Sequence, residues 1–169
     1  MILYTCAVTG HRPAKLHLGR TDDAAFRLRE RIRLQLTELY GKGVRRFLLG
    51  GALGVDLWAG EILVSMGKDG CFSGLELVMV LPFAGYDKLW NEQERERVNT
   101  VRAHCAQTVI VGNGENPTLC YRLRNRYLVD HADCLLAVYD PAHARSGTGM
   151  TVRYGERKGI PIFSILPER

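Results

Sequence analysis

The stretch RRFLLGGALGVDLWAGE, residues 45–61, decides the fold class. Residues 45–49 read as a short strand. Gly50, Gly51 and Gly54 follow, with Ala52 among them, and apolar residues then resume at helical spacing over about 56–67. A strand that runs through glycines into a helix is a β-α unit whose backbone can turn sharply and approach a ligand. The free N–H groups opening such a helix favour an anion such as phosphate. Asp56, at the helix start, reads most simply as an N-cap, and alternatively as a partner for a ribose hydroxyl or a metal.

The same unit recurs on either side. Residues 2–8 (ILYTCAV) read as a first strand closed by Thr9, Gly10, His11, Arg12 and Pro13. Residues 22–40 carry Ala25, Leu28, Ile32, Leu36 and Leu39 on one helical stripe, with Thr21 or Asp22 as cap and Gly41 and Gly43 as stop. Residues 75–81 form a strand ending at Pro82 and Phe83, and 91–105 a charged helix. Residues 107–111 are a short strand, and 117–131 a helix opened by Pro117. Residues 134–139 are a strand, followed by Asp140 and a polar loop through Gly149, a helix at 150–158 and a last strand at 160–166. Unbroken β-α alternation predicts one α/β domain over 1–169, with a mostly parallel sheet and helices on both faces. The irregular stretches 10–20, 82–90 and 140–149 each follow a strand. They should gather at the carboxyl edge of the sheet, where open α/β sheets bind ligands.

Three loops and one helix carry the candidate chemistry. Gly50–Asp56 is the first cradle. Ser146, Gly147, Thr148, Gly149 and Thr151 form a second, with flexible backbone and hydroxyl donors for an anion; read structurally, it is a turn plus a helix cap. Thr9–Pro13 places an imidazole and a guanidinium after the first strand. In the helix 117–131, Arg122 and Arg126 share a face, while Arg124 projects roughly opposite, because two residues advance about 200° around a helix. Arg124 therefore sits on the apolar side with Cys120 and Leu128. An arginine there needs an anion, either a ligand phosphate or an internal carboxylate such as Asp133. Asn125 beside it can hydrogen-bond a base or a backbone.

Composition fits this picture. A chain of 169 residues, 46% of them hydrophobic, has material for a real core. Its 18 glycines exceed the roughly 7% of ordinary usage. A net charge of +5 suits anionic partners. The five cysteines (Cys6, Cys71, Cys105, Cys120, Cys134) form no C-x-x-C pair and share no ligand spacing with histidines, which argues against a structural metal and for reduced thiols in the cytoplasm. The N-terminus lacks an export pattern, and no apolar run approaches membrane-spanning length, so no membrane association is expected.

The set TGHRP at 9–13, GGALGVDLWAGE at 50–61, LPF at 81–83, RNRYLVDHADCLLAVYD at 124–140 and SGTGMTV at 146–152 resembles the YpsA-like proteins. These are SLOG-superfamily domains, a group that also holds the DNA-processing protein DprA and the LOG phosphoribohydrolases. The resemblance implies a Rossmann-like three-layer sandwich, a nucleotide or nucleotide-derived ligand with no further cofactor required, and a homodimer. It places ligand contacts on the loop residues named above, with Pro82, Phe83, Arg124, Asn125 and Asp140. Arg124, Leu128 and Asp133 match the spacing of a LOG motif. The catalytic glutamate that follows the LOG glycine loop has no counterpart here, where Met150, Thr151, Val152 and Arg153 stand and Glu156 comes a turn too late.

Three functions follow, in this order: a nucleotide-binding or nucleotide-sensing module; a hydrolase of an N-glycosidic or phosphoribosyl bond; a binder of single-stranded nucleic acid. The second needs a carboxylate, for which Asp56, Glu61, Asp133 and Asp140 lie near suitable loops. The third needs basic and aromatic residues on one face. Arg12, Arg45, Arg46, Trp58, Phe83 and Trp90 are the candidates, and no aromatic–basic stripe is evident along the chain.

Overall fold

The computed structural model describes residues 2–16 and 22–168. The chain alternates strand and helix: β1 (Thr5–Gly10), α1 (Asp22–Gly41), β2 (Arg46–Leu49), α2 (Val55–Lys68), β3 (Glu76–Leu81), α3 (Glu92–Ala103), β4 (Gln107–Ile110), α4 (Pro117–Asp130), β5 (Cys134–Val138), α5 (Gly147–Lys158) and β6 (Ile162–Ile165). Among the described residues the strands form one parallel sheet in the order β4-β3-β2-β1-β5-β6. The chain builds outward from β1 to β4, then α4 carries it back across the sheet to β5 on the other side of β1. That reversal makes a switch point between β1 and β5, where the next connections leave on opposite faces.

Period-two side chains separate the two faces. Cys6 and Val8 of β1 join Phe47, Leu49, Met79 and Leu136 in a core that packs on Leu28, Ile32, Leu36 and Leu39 of α1 and on α2 and α3. Ala7 points the other way, with Leu48, Val78, Val80 and Ala137, against Leu128 of α4 and Val152 of α5. The result is the expected α/β/α sandwich.

Several boundaries differ from the sequence reading. β1 begins at Thr5, not residue 2, because its pairing with β2 starts at Thr5↔Arg46; it runs on to Gly10, which pairs with Val138. Thr9 and Gly10 are therefore strand, not loop. α5 begins at Gly147, three residues early, because the Ser146 hydroxyl accepts the Gly149 N–H and caps the first turn. The last strand is shorter than expected, since Ile160 N–H closes the end of α5 on the Gly155 carbonyl. Thr21, one suggested cap of α1, lies outside the described residues.

Candidate functional site

A cleft of about 360 Å3 opens at the carboxyl edge of the sheet, at the switch point. From the predicted set, Thr9, Gly10, His11, Arg12, Ala52, Asp56, Arg124, Asn125, Ser146, Gly147 and Thr148 line it. The three loops thus meet, because each follows or nearly follows a central parallel strand. Lys15, Tyr121 and Leu128 also line it. Lys15 ends a 3-10 turn, Pro13–Lys15. Tyr121 was legible as the residue one helical turn before Arg124, a position that shares its face.

Arg124 is the central side chain. Although cationic it is only 6% exposed. Its Nε donates to Asn125 Oδ1 at 2.8 Å, and its Nη1 donates to the Gly50 carbonyl. Burial lowers its pKa, the Asp56 charge opposing and the Arg12 charge adding to that effect. It makes no direct ion pair with a described carboxylate. Asp133, the internal partner considered from sequence, is elsewhere: its carboxylate accepts the Tyr4 and Thr5 N–H groups at 3.0 and 2.9 Å, at the amino edge of the sheet. The guanidinium groups of Arg12 and Arg124 lie 5.4 and 5.5 Å from the centre of the Tyr121 ring, close enough for cation–π attraction. Phe83 meets that ring edge-on at 6.0 Å.

Asp56 is not the N-cap of α2. Gly54 holds that place, and no side chain caps it. Asp56 instead turns back to the glycine loop, accepting the Ala52 N–H at 3.4 Å. Burial pushes its carboxyl up to about 6, with Arg124 pulling in the opposite direction.

His11 is 1% exposed. Its Nε2 accepts the Asp140 N–H at 3.0 Å, which assigns the ring proton to Nδ1. That Nδ1 is buried with no hydrogen-bond partner among the described residues. Burial lowers the His11 pKa, and the charges of His143 and Lys15 add to the effect, so the ring is neutral near pH 7.

The remaining predicted residues do not line the cleft. Gly50 holds Arg124, and a Cβ there would lie 2.6 Å from Arg124 Nη1 and Asp56 Oδ2. Gly51 offers its carbonyl to the Tyr86 hydroxyl at 2.8 Å. Gly54 packs on the His11–Pro13 backbone. Pro82 closes on Gly112, and Phe83 supports Tyr121. Asp140 accepts the Ala142 N–H and opens the 3-10 turn Pro141–His143. Gly149 lies inside the first turn of α5, and Thr151 donates its hydroxyl proton to the Gly147 carbonyl.

Of the carboxylates weighed for hydrolysis, only Asp56 faces the cleft. Glu61 pairs with Arg29 and Arg97. The proposed basic–aromatic set is dispersed. Arg46 pairs with Glu76 and Arg45 covers Tyr40, both at the amino end of β2. Trp58 is core, and Trp90 packs on Tyr86.

The model of the YpsA family, described as the YspA SLOG family, matches residues 6–169. A UPF0398 protein of Bacillus pumilus (strain SAFR-032) is 29% identical over 162 residues, covering 94% of this chain and 86% of its own. The UPF0398 protein YpsA of Bacillus subtilis (strain 168) is 28% identical over 165 residues, covering 94% and 90%. DNA processing protein A from Streptococcus pneumoniae superposes with a TM-score of 0.60 at 18% identity, over 96% of this chain and 50% of its own. The Helicobacter pylori protein, whose structure concerns a single-stranded DNA binding mode, superposes at 0.63 with 20% identity, over 99% and 67%. At these identities the structural likeness speaks to the fold alone, and this chain spans only half the length of the pneumococcal protein.

Proposed function

The chain belongs to the YspA SLOG family, and from that membership and the chemistry of the cleft we propose that it binds a nucleotide or nucleotide-derived ligand there, by its phosphate. The buried Arg124 carries this reading. A guanidinium has five N–H donors; two are engaged, by Asn125 and Gly50, leaving three beside the cleft. Among the described residues, Arg12, Lys15 and Arg124 are the cations that line the cleft, against one carboxylate, that of Asp56. His11, which lines the cleft, keeps a buried Nδ1 with no hydrogen-bond partner among the described residues. Leaving a buried guanidinium without a full counter-charge is costly, and a bound phosphate offsets that cost. A volume of about 360 Å3 suits a small ligand.

Calorimetry with a panel of nucleoside phosphates tests this. Arg124→Ala should weaken binding by roughly 1.5–3 kcal/mol, the scale of a charge-assisted hydrogen bond. Arg12→Ala, at an exposed position, gives a second readout that does not disturb the core. Unchanged affinity in both variants would mean that the arginines serve the protein's own packing. The homodimer implied by the resemblance belongs to the same proposal, and light scattering in solution tests it.

Hydrolysis is a second reading, and Asp56 is the observation that favours it. A carboxyl raised to about 6 beside an anion site has the character of a general acid. Yet it faces the Ala52 amide, and no carboxylate occupies residues 150–153. We expect no release of free base from nucleoside monophosphates, by chromatography, at rates near one per second. Turnover abolished by Asp56→Asn would establish the hydrolase.

A further inference from the structure

A second depression of about 540 Å3 adjoins the cleft, between α4 and α5. The two share Tyr121, Asn125 and Gly147 as a common wall. α4 contributes Arg122 and Arg126 at i and i+4; α5 contributes Arg153, Tyr154 and Arg157. No carboxylate lines this groove among the described residues. Arg122, Arg126 and Arg157 form no ion pair with a described carboxylate, and Arg153 donates to the Ala144 carbonyl. Tyr154 sits among cations: Arg126, Arg157 and Lys158 lie 5.6, 5.7 and 5.5 Å from its ring centre. Its hydroxyl is turned away to Asp130, whose charge Lys158 answers at 3.1 Å.

We propose that this groove carries a single nucleic-acid strand onward from the cleft, with phosphates on its arginines and an unpaired base against Tyr154. The proposal rests on the reading that the cleft holds a nucleotide phosphate. Four arginines, two from each helix and none paired with a described carboxylate, exceed what one small ligand, already met by Arg12, Lys15 and Arg124, would need. They suit a polymer with a charge on every unit. Tyrosine rings within a cationic groove reward exposed base faces, which a duplex hides in its own stack. A folded protein partner would require a broad apolar patch, and among the described residues the groove offers Met150 alone as an exposed large apolar side chain.

The test uses a fluorescein-labelled oligodeoxyadenylate of about 12 nucleotides by anisotropy, the same sequence as a duplex with its complement, and dAMP by calorimetry. Each is measured on the unmutated chain and on the Arg126→Ala/Arg157→Ala double variant. Arg122→Glu, a single change on the α4 wall, serves if the double variant melts early. The strand should bind at least about 10-fold more tightly than dAMP and than the duplex. The double variant should lose about 10-fold for the strand with dAMP unchanged. The slope of log affinity against log salt should shrink by about 1.4, the value for two phosphates that the protein no longer neutralises. A strand that binds no better than dAMP or the duplex, or a groove variant that binds the strand normally, overturns the proposal. If dAMP binds and the strand gains nothing, the groove proposal alone falls. If neither binds, the cleft reading falls with it.

Discussion

After β2 the chain reads Gly-Gly-Ala-Leu-Gly before α2; at the start of α5 it reads Ser-Gly-Thr-Gly. The folded molecule uses these two similar runs differently. In the first, space that a side chain would occupy is already filled by protein. A Cβ on Gly50 would meet Arg124 and Asp56, and a Cβ on Gly54 would lie 2.9 Å from the His11 carbonyl and the Pro13 ring. In the second, a Cβ on Gly147 would find only Asn125 Nδ2, at 3.9 Å, and Gly147 lines both the cleft and the groove. One run lets protein segments close on each other and hold Arg124; the other is divided, since a Cβ on Gly149 would lie 2.5 Å from the Ala144 carbonyl oxygen while Gly147 leaves the helix start open to whatever enters. Glycine after a strand therefore marks a close approach without saying of what.

The largest test of this contrast is at Gly54, whose φ of 82° with ψ of −126° is a conformation that side chains avoid. Gly54→Ala should cost about 3 kcal/mol or more in denaturant unfolding, from backbone strain together with the clash. Gly147→Ala, within an α-helical first turn, should stay within about 1 kcal/mol of the parent. Equal damage at the two positions would erase the distinction.

Asp56 gives the next effect, read through pH. Its folded pKa is raised from 3.8 to about 6, so the folded state holds the proton more tightly than the unfolded chain does. The stability this contributes is full below about pH 4 and is lost as pH rises through 6. Asp56→Asn should therefore gain on the parent by something on the order of 3 kcal/mol between pH 4 and pH 7, in paired urea melts. His11 acts in the opposite sense. Its pKa is lowered, so the stability of its neutral form is present above 6.5 and is lost as pH falls through the folded value. A constant difference between the Asp56→Asn and parent melts would show that Asp56 is solvated.

Ser146→Ala should show the smallest effect, about 1 kcal/mol, because it removes a single N-cap hydrogen bond to Gly149. Loss of ligand affinity beyond that change in stability would show that the Ser146 hydroxyl also reaches the ligand.

Much of this was decided by local pattern. Period-two strands, 3.6-residue stripes and glycines between them carry the parallel sandwich, since each depends on neighbours within a few positions. The burial of Arg124 also followed from helical spacing alone, because Arg122 and Arg126 must then face outward. The loops' convergence followed from strand direction. Other features depend on contacts between distant residues. That the Gly50 carbonyl receives a guanidinium depends on Arg124 arriving from α4, 74 residues on. That Asp133 ties down Tyr4 and Thr5 depends on β5 lying beside β1. The clearest case is the arginine–tyrosine groove. No aromatic–basic stripe runs along the chain, because half of it lies on α4 and half on α5. Only the packing of those helices side by side on one face of the sheet brings the halves together.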